Sequence, residues 1–148
     1  MMDCKFMPEP FNNVPDIEEY LIETAGASLI EESKSSNNYI SLRGYNCTDL
    51  LMADICYTDY IKILGEQGFK FKPNSGNAAN SIVTYKKDGV AQIVIGRAIT
   101  KNSLVLWVVV TNSITMKDLK ENSREMTSVK NEINEKTAAL ALFVEMNK

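Results

Sequence analysis

An α+β fold, with an antiparallel sheet packed by helices, is the class this sequence predicts, and three observations carry that expectation. Short runs of alternating or β-branched residues follow one another from GFKF to SLVLWVVVT, with Asp88-Gly89 between two of them. Asp-Gly supplies the positive φ that a two-residue hairpin turn needs. Two segments with apolar residues at helical spacing, 15–25 and 48–65, interrupt and precede the strands rather than alternating with them one for one. At 148 residues, 45% of them apolar and 24% charged, the chain is large and apolar enough to fold around one core.

Residues 1–14 contain Pro8 and Pro10 and read as an extended arm whose Phe6, Met7 and Phe11 can lie on a surface. Residues 15–148 then form a single α+β domain. A first helix is expected from Pro15, because proline lacks the N–H that would go unpaired there, and Asp16, Glu18 and Glu19 suit the positive end of the dipole. Ile17, Leu21 and Ala25 share one face, and Gly26 offers a left-handed stop. ASLIEE and YISLRGY flank the polar SKSSNN, which predicts a hairpin over 27–45, with continuation of the helix through Leu29 and Ile30 as the rival. Asn46 or Thr48 is placed to cap the second helix.

Beyond it, GFKF starts a strand, PNSGNAAN reads as loop, and the runs on either side of Asp88-Gly89 together with SLVLWVVVT make a three-strand meander over about 67–111. The apolar core of the last run, Leu104 to Val110, is too short for a membrane-spanning helix, which needs about 20 residues. Val108 to Val110 predict instead a strand buried on both faces, which requires cover from the chain or from a partner. In the final third, Thr115 and Asp118 fit a capping box for a long helix over about 115–146, with Leu119, Met126, Ile133 and Leu140 at heptad spacing and Val144 beyond them. Such a helix would measure roughly 45 Å, against a radius of gyration near 15 Å for a domain of this size, so 115–148 is expected to project, coiled-coil fashion, or to bind a partner. The order helix, glycine, strand, loop, strand occurs twice, in EYLIETAGASLIEE with YISLRG and in DYIKILGEQGFKF with SIVTYKK. Shared α–β grammar accounts for that without a duplication.

Composition excludes more chemistry than it suggests. The chain has no histidine, so serine or cysteine triads built on histidine are ruled out within it. No phosphate-binding glycine motif occurs. Net charge is -3 with no basic block, which argues against nucleic acid as partner. Three cysteines without a C-x-x-C pair suit reduced thiols in a cytoplasm; a lipoprotein or exported origin, with a signal removed before Cys4, is the alternative. Cys47, near a predicted helix start, would be the thiol most open to activation, but without a base it reads as packed. The carboxylate pairs Glu18-Glu19, Glu31-Glu32 and Asp54 with Asp59 read as solvated faces, and Arg43 and Arg97 as exposed strand-end cations. No catalytic, cofactor-binding or metal-ligating residue is therefore expected.

The sequence of elements is loosely similar to small bacterial α+β proteins that bind other proteins, secretion chaperones and toxin-immunity proteins among them. The expectation that follows is a non-enzymatic, chaperone-, adaptor- or immunity-like protein, not inserted in a membrane. It would cover another protein, or a second copy of itself as a homodimer, through its sheet and C-terminal helix. Leu119, Met126, Ile133, Leu140, Val144 and Trp107 are the candidate contact residues. The alternative is a ligand-binding or enzymatic domain with a pocket lined by Tyr39, Tyr45, Tyr57, Tyr60, Tyr85 and Arg97.

Overall fold

The computed structural model describes residues 5–9, 11–34, 40–76, 80–100 and 102–112, and near the C-terminus 131–132, 134–136, 138–139 and 142. In chain order the elements are α1 (Glu18–Ala25), β1 (Ala27–Lys34), β2 (Ile40–Cys47), α2 (Leu50–Glu66), β3 (Lys70–Gly76), β4 (Asn80–Lys87), β5 (Ala91–Ile99) and β6 (Leu104–Asn112). The six strands form one sheet in the order β1-β2-β6-β5-β4-β3. Every pairing is antiparallel. α2 carries the chain from β2 to the far edge, and the meander β3-β4-β5-β6 returns it to pair β6 with β2.

Alternation along the central strands sorts their side chains onto two faces, both of them buried. Leu104, Leu106, Val108 and Val110 of β6 join Tyr45, Ile93 and Ile95 in a core completed by α1, α2 and the N-terminal arm. Val105, Trp107 and Val109 point the other way and pack with Ile40, Leu42 and Val94. Val108 to Val110 are thus buried on both sides within the chain, at 7%, 0% and 1% exposure. The cover their apolarity demands is supplied without a partner.

The arm contributes to this core although its described residues form no helix or strand of their own. Met7, Phe11, Val14 and Ile17 are buried in it, whereas Phe6 is exposed. Its backbone folds on itself through Met7 N–H to Val14 C=O (2.9 Å) and Asp16 N–H to Lys5 C=O (2.7 Å). Pro15 bridges Phe6 instead of opening a helix, and α1 begins at Glu18, whose N–H is accepted by Asp16 Oδ1 at 3.0 Å. Gly26 ends α1 in the left-handed region at φ 59°. The cap of α2 is Asp49, its carboxylate accepting from Met52 N–H at 3.0 Å, rather than Asn46 or Thr48.

Two parts of the expected architecture are corrected. The meander has four strands over Lys70–Asn112, not three, because Lys70–Gly76 is a strand through Pro73 and Ser75. β3 lies at the sheet edge, where proline's missing N–H costs no ladder bond. The long helix over 115–146 is not found: among the described residues the longest helical stretch of that region is 134–136, and 113–130 lie outside them. The physical reason is visible in Lys136, which ion-pairs with Glu31 of β1 and sets its ammonium 5.6 Å from the Trp107 ring. Lys136 is thus held against the second face of the sheet instead of projecting from it, and covering apolar sheet removes much more apolar surface from water than a lone heptad stripe in solvent.

α1 and α2 are each followed by a positive-φ glycine, Gly26 or Gly68, and by a hairpin, β1–β2 or β3–β4, and the first strand of each hairpin is a sheet edge. The repeated order read in the sequence thus builds the two flanks of one sheet, with β5 and β6 between them.

Candidate functional site

Among the described residues, three polar clusters and a group of exposed apolar side chains are where chemistry or binding can reside. The first cluster ties the arm and α1 to β2. Arg43 is buried, not an exposed strand-end cation, and its guanidinium reaches Asp16 at 3.3 Å and Glu18 at 3.8 Å. Tyr45 donates to Glu18 Oε1 at 3.1 Å, and burial, then the neighbouring Glu18 charge, holds its phenol protonated far above the usual range. Tyr60 completes the seam by donating to the Pro15 carbonyl at 2.8 Å. Each charge here has an opposite charge beside it, which is the arrangement of a structural lock.

The second cluster joins α2 to the outer meander. Arg97 lies 4.6 Å from the centroid of the Tyr57 ring and 3.2 Å from Asp54 Oδ1. Tyr85 packs against Phe71 with ring centroids 5.4 Å apart, and Phe71 is exposed. Burial, then the neighbouring Tyr57, pushes the Tyr85 phenol up to about 12. Of the tyrosines expected around Arg97, Tyr57 and Tyr85 are brought into this group, Tyr45 and Tyr60 belong to the first cluster, and Tyr39 lies outside the described residues.

The third cluster holds the thiols. Cys47 ends β2 and Cys56 lies in α2, both buried and free. Burial, then Cys56, pushes the Cys47 thiol up to about 11, the opposite of what a nucleophile or metal-binding thiolate requires. Cys56 Sγ is 3.0 Å from Thr24 Oγ1, and burial raises its pKa as well. The hydrogen bond from Tyr20 to Asp59 (2.9 Å), more than burial, pushes the Tyr20 phenol up to about 12. No group of three or more potential metal-ligating side chains occurs among the described residues.

Trp107, the one expected contact residue among the described residues, is in the interior at 2% exposure. Its cross-strand partners are Gly44 on β2 and Gly96 on β5, so the indole has room on both sides. A Cβ at Gly44 would overlap the six-membered ring of the indole. Leu119, Met126, Ile133, Leu140 and Val144 lie outside the described residues.

The surface missed by sequence reading is the outer side of α1, β1 and the start of α2. Ile22 (49% exposed), Leu29 (43%), Ile30 (42%) and Leu51 (71%) are open to solvent there, with Ile55 one turn beyond Leu51. The signal was present in α2: Leu51 and Ile55 are separated by four residues on the side opposite Ala53, Cys56, Tyr60 and Leu64, which are the buried positions. Comparison with protein-family models, with curated proteins and with solved structures returns no match for this chain. Among the described residues, no helix is long and apolar enough to cross a membrane.

Proposed function

We propose that this chain is a non-enzymatic protein-binding protein that holds its partner on the outer surface of α1, β1 and α2. The observation that supports it is the set of large apolar side chains left open there, Ile22, Leu29, Ile30, Leu51 and Ile55, while both faces of the sheet are covered. Isolated exposed apolar residues are ordinary, but several on elements that pack together, α1 with both β1 and α2, are what binding surfaces are made of. The candidate catalytic groups argue in the same direction. Both described thiols are buried and raised in pKa, and Arg43 and Arg97 are engaged by carboxylates. A reducing compartment such as the cytoplasm suits a chain whose buried thiols are free.

Crosslinking in the protein's own host, followed by mass spectrometry, tests the reading with Ile22→Lys, Ile30→Lys and Leu51→Lys. These positions are exposed, so thermal unfolding is expected to stay within a few degrees of wild type while at least one variant loses the captured protein. Capture of the same proteins in the same yield by all three variants sinks the proposal.

A second reading rests on Arg97 stacked on Tyr57 beside Tyr85 and the exposed Phe71, an aromatic and cationic arrangement that suits an anionic or planar small molecule. Native mass spectrometry decides for it if a small molecule co-purifies with the wild-type chain and is lost in Arg97→Ala.

A further inference from the structure

The sheet has two edges, β1 and β3, and they differ in how they meet solvent. An edge strand turns a row of N–H and C=O groups outward, and proteins that must not gain a further strand defend it with lysine, proline or a bulge. β3 has all three: exposed Lys70 and Lys72, then Pro73, with a register shift between Pro73 and Ser75. β1 has a bulge between Leu29 and Glu31, but no proline, and no lysine before Lys34. Beyond the bulge, Glu31 to Lys34 pair regularly with Gly44 to Ser41. Ser28, Leu29, Ile30 and Glu32 are all exposed, as is Ile22 on the preceding helix.

Charge defines what fits. Glu18 and Glu19 in the first turn of α1 are balanced by Arg43 and Lys5, and the exposed Glu23 and Glu32 put further negative charge on α1 and on the strand that carries the apolar pair Leu29 and Ile30. Strand addition gains affinity from backbone hydrogen bonds and specificity from alternate side chains. We infer that β1 is the docking edge for an extended segment of a partner protein that alternates apolar with basic residues, a conclusion that rests on the protein-binding reading above. A second copy is the poorer occupant: its β1 carries the same exposed Glu32, and its β3 offers Lys70 to Lys72 before Pro73 ends the donor row.

The test is an amide chemical-shift titration of the full chain with a synthetic peptide alternating valine and lysine, blocked at both ends, and with its valine–glutamate counterpart as control. The lysine peptide is expected to shift the amides of Ala27 to Lys34. Affinity should fall about tenfold in the Ile30→Lys, Glu32→Lys double variant and less in Glu32→Gln, which removes charge alone. The glutamate peptide should shift nothing. Absence of any shift, shifts centred on α2 or β3, or equal affinity in the double variant overturns the inference. So does light scattering that finds the free chain self-associated through β1, monomeric only in the double variant. If crosslinked capture survives Ile30→Lys yet fails in Leu51→Lys, the edge is refuted and the protein-binding reading stands; if capture survives every surface variant, both fall.

Discussion

At Gly44 a missing side chain determines what its neighbour can be. Trp107 sits between Gly44 and Gly96 in the cross-strand pairs, and its indole occupies the volume a Cβ would need at Gly44. Gly44→Ala should therefore destabilise the fold by about 1–3 kcal/mol, the usual cost of overpacking, read from urea unfolding. In a Trp107→Val background Gly44→Ala should cost less than it does in the wild type, which a purely backbone effect of alanine would not allow. Cys47 carries a pH signature of its own. Its thiol titrates from about 9 in the unfolded chain to about 11 in the fold, so the fold favours the protonated form. The contribution is fully present below pH 9 and disappears as pH rises through the folded value, because only the unfolded state has then released its proton. Stability should accordingly fall between about pH 9 and 11, and Cys47→Ala should remove a share of that fall of order 2 kcal/mol. Equal pH slopes for the two proteins would show that this burial of Cys47 is overstated.

Between elements, the two arginines separate a buried contact from a peripheral one. Arg43 joins β2 to the arm and α1 with Asp16 and Glu18, its side chain only 10% exposed, whereas Arg97 meets a carboxylate, Asp54, that is 54% exposed. Removing one member of a buried ionic group strands the others, at roughly 3–5 kcal/mol. Solvent screens the Arg97 pair, leaving about 1–2 kcal/mol for that pair and the Tyr57 stacking together. Thermal unfolding of Arg43→Ala and Arg97→Ala should rank in that order, and the reverse ranking would mean the meander depends on Arg97. Neither role was readable in sequence. Arg-Gly and Gly-Arg look like strand ends, and nothing local announces that Arg43 pairs with carboxylates 27 and 25 positions earlier in the chain. Local grammar was readable where one residue decides the backbone. Gly26 and Gly89 both take positive φ, although the turn at Gly89 leaves three residues rather than two between the paired Lys87 and Ala91. It failed where an edge position excuses a poor strand former, as at Pro73 of β3, and where a heptad stripe without a visible partner was read as a projecting helix. The apolar surface of α1 and β1 was missed for a related reason: Ile22, Leu29 and Ile30 look like core residues until the sheet order makes β1 an edge.

For the whole molecule, the consequential question is whether the N-terminal arm is an accessory or part of the fold. Its sequence, with Pro8, Pro10 and two asparagines, is that of an irregular segment, and among its described residues it forms neither helix nor strand beyond a single bridge at Phe6 and Pro15. Yet Met7, Phe11 and Val14 are buried in the same core as α1, α2 and the helix-facing side of the sheet. Burying side chains of this size stabilises by roughly 1.5–3 kcal/mol each, or about 5–9 kcal/mol for three, before the entropy of ordering the arm is subtracted. Domains of this size have only about 5–15 kcal/mol of net stability. A chain beginning at Asp16 would also lose the acceptor that Tyr60 uses at Pro15. Such a chain should unfold at markedly lower urea concentration or lose its cooperative transition, and it should bind a hydrophobic dye through the uncovered side of Val108 and Val110. The full chain carrying Phe11→Ala provides the graded version, expected to lose about 3–5 kcal/mol with the cooperative transition retained. If the shortened chain instead melts with the full one, the arm is a dispensable cover, and the apolar strip it vacates joins α1 and β1 as surface for a partner.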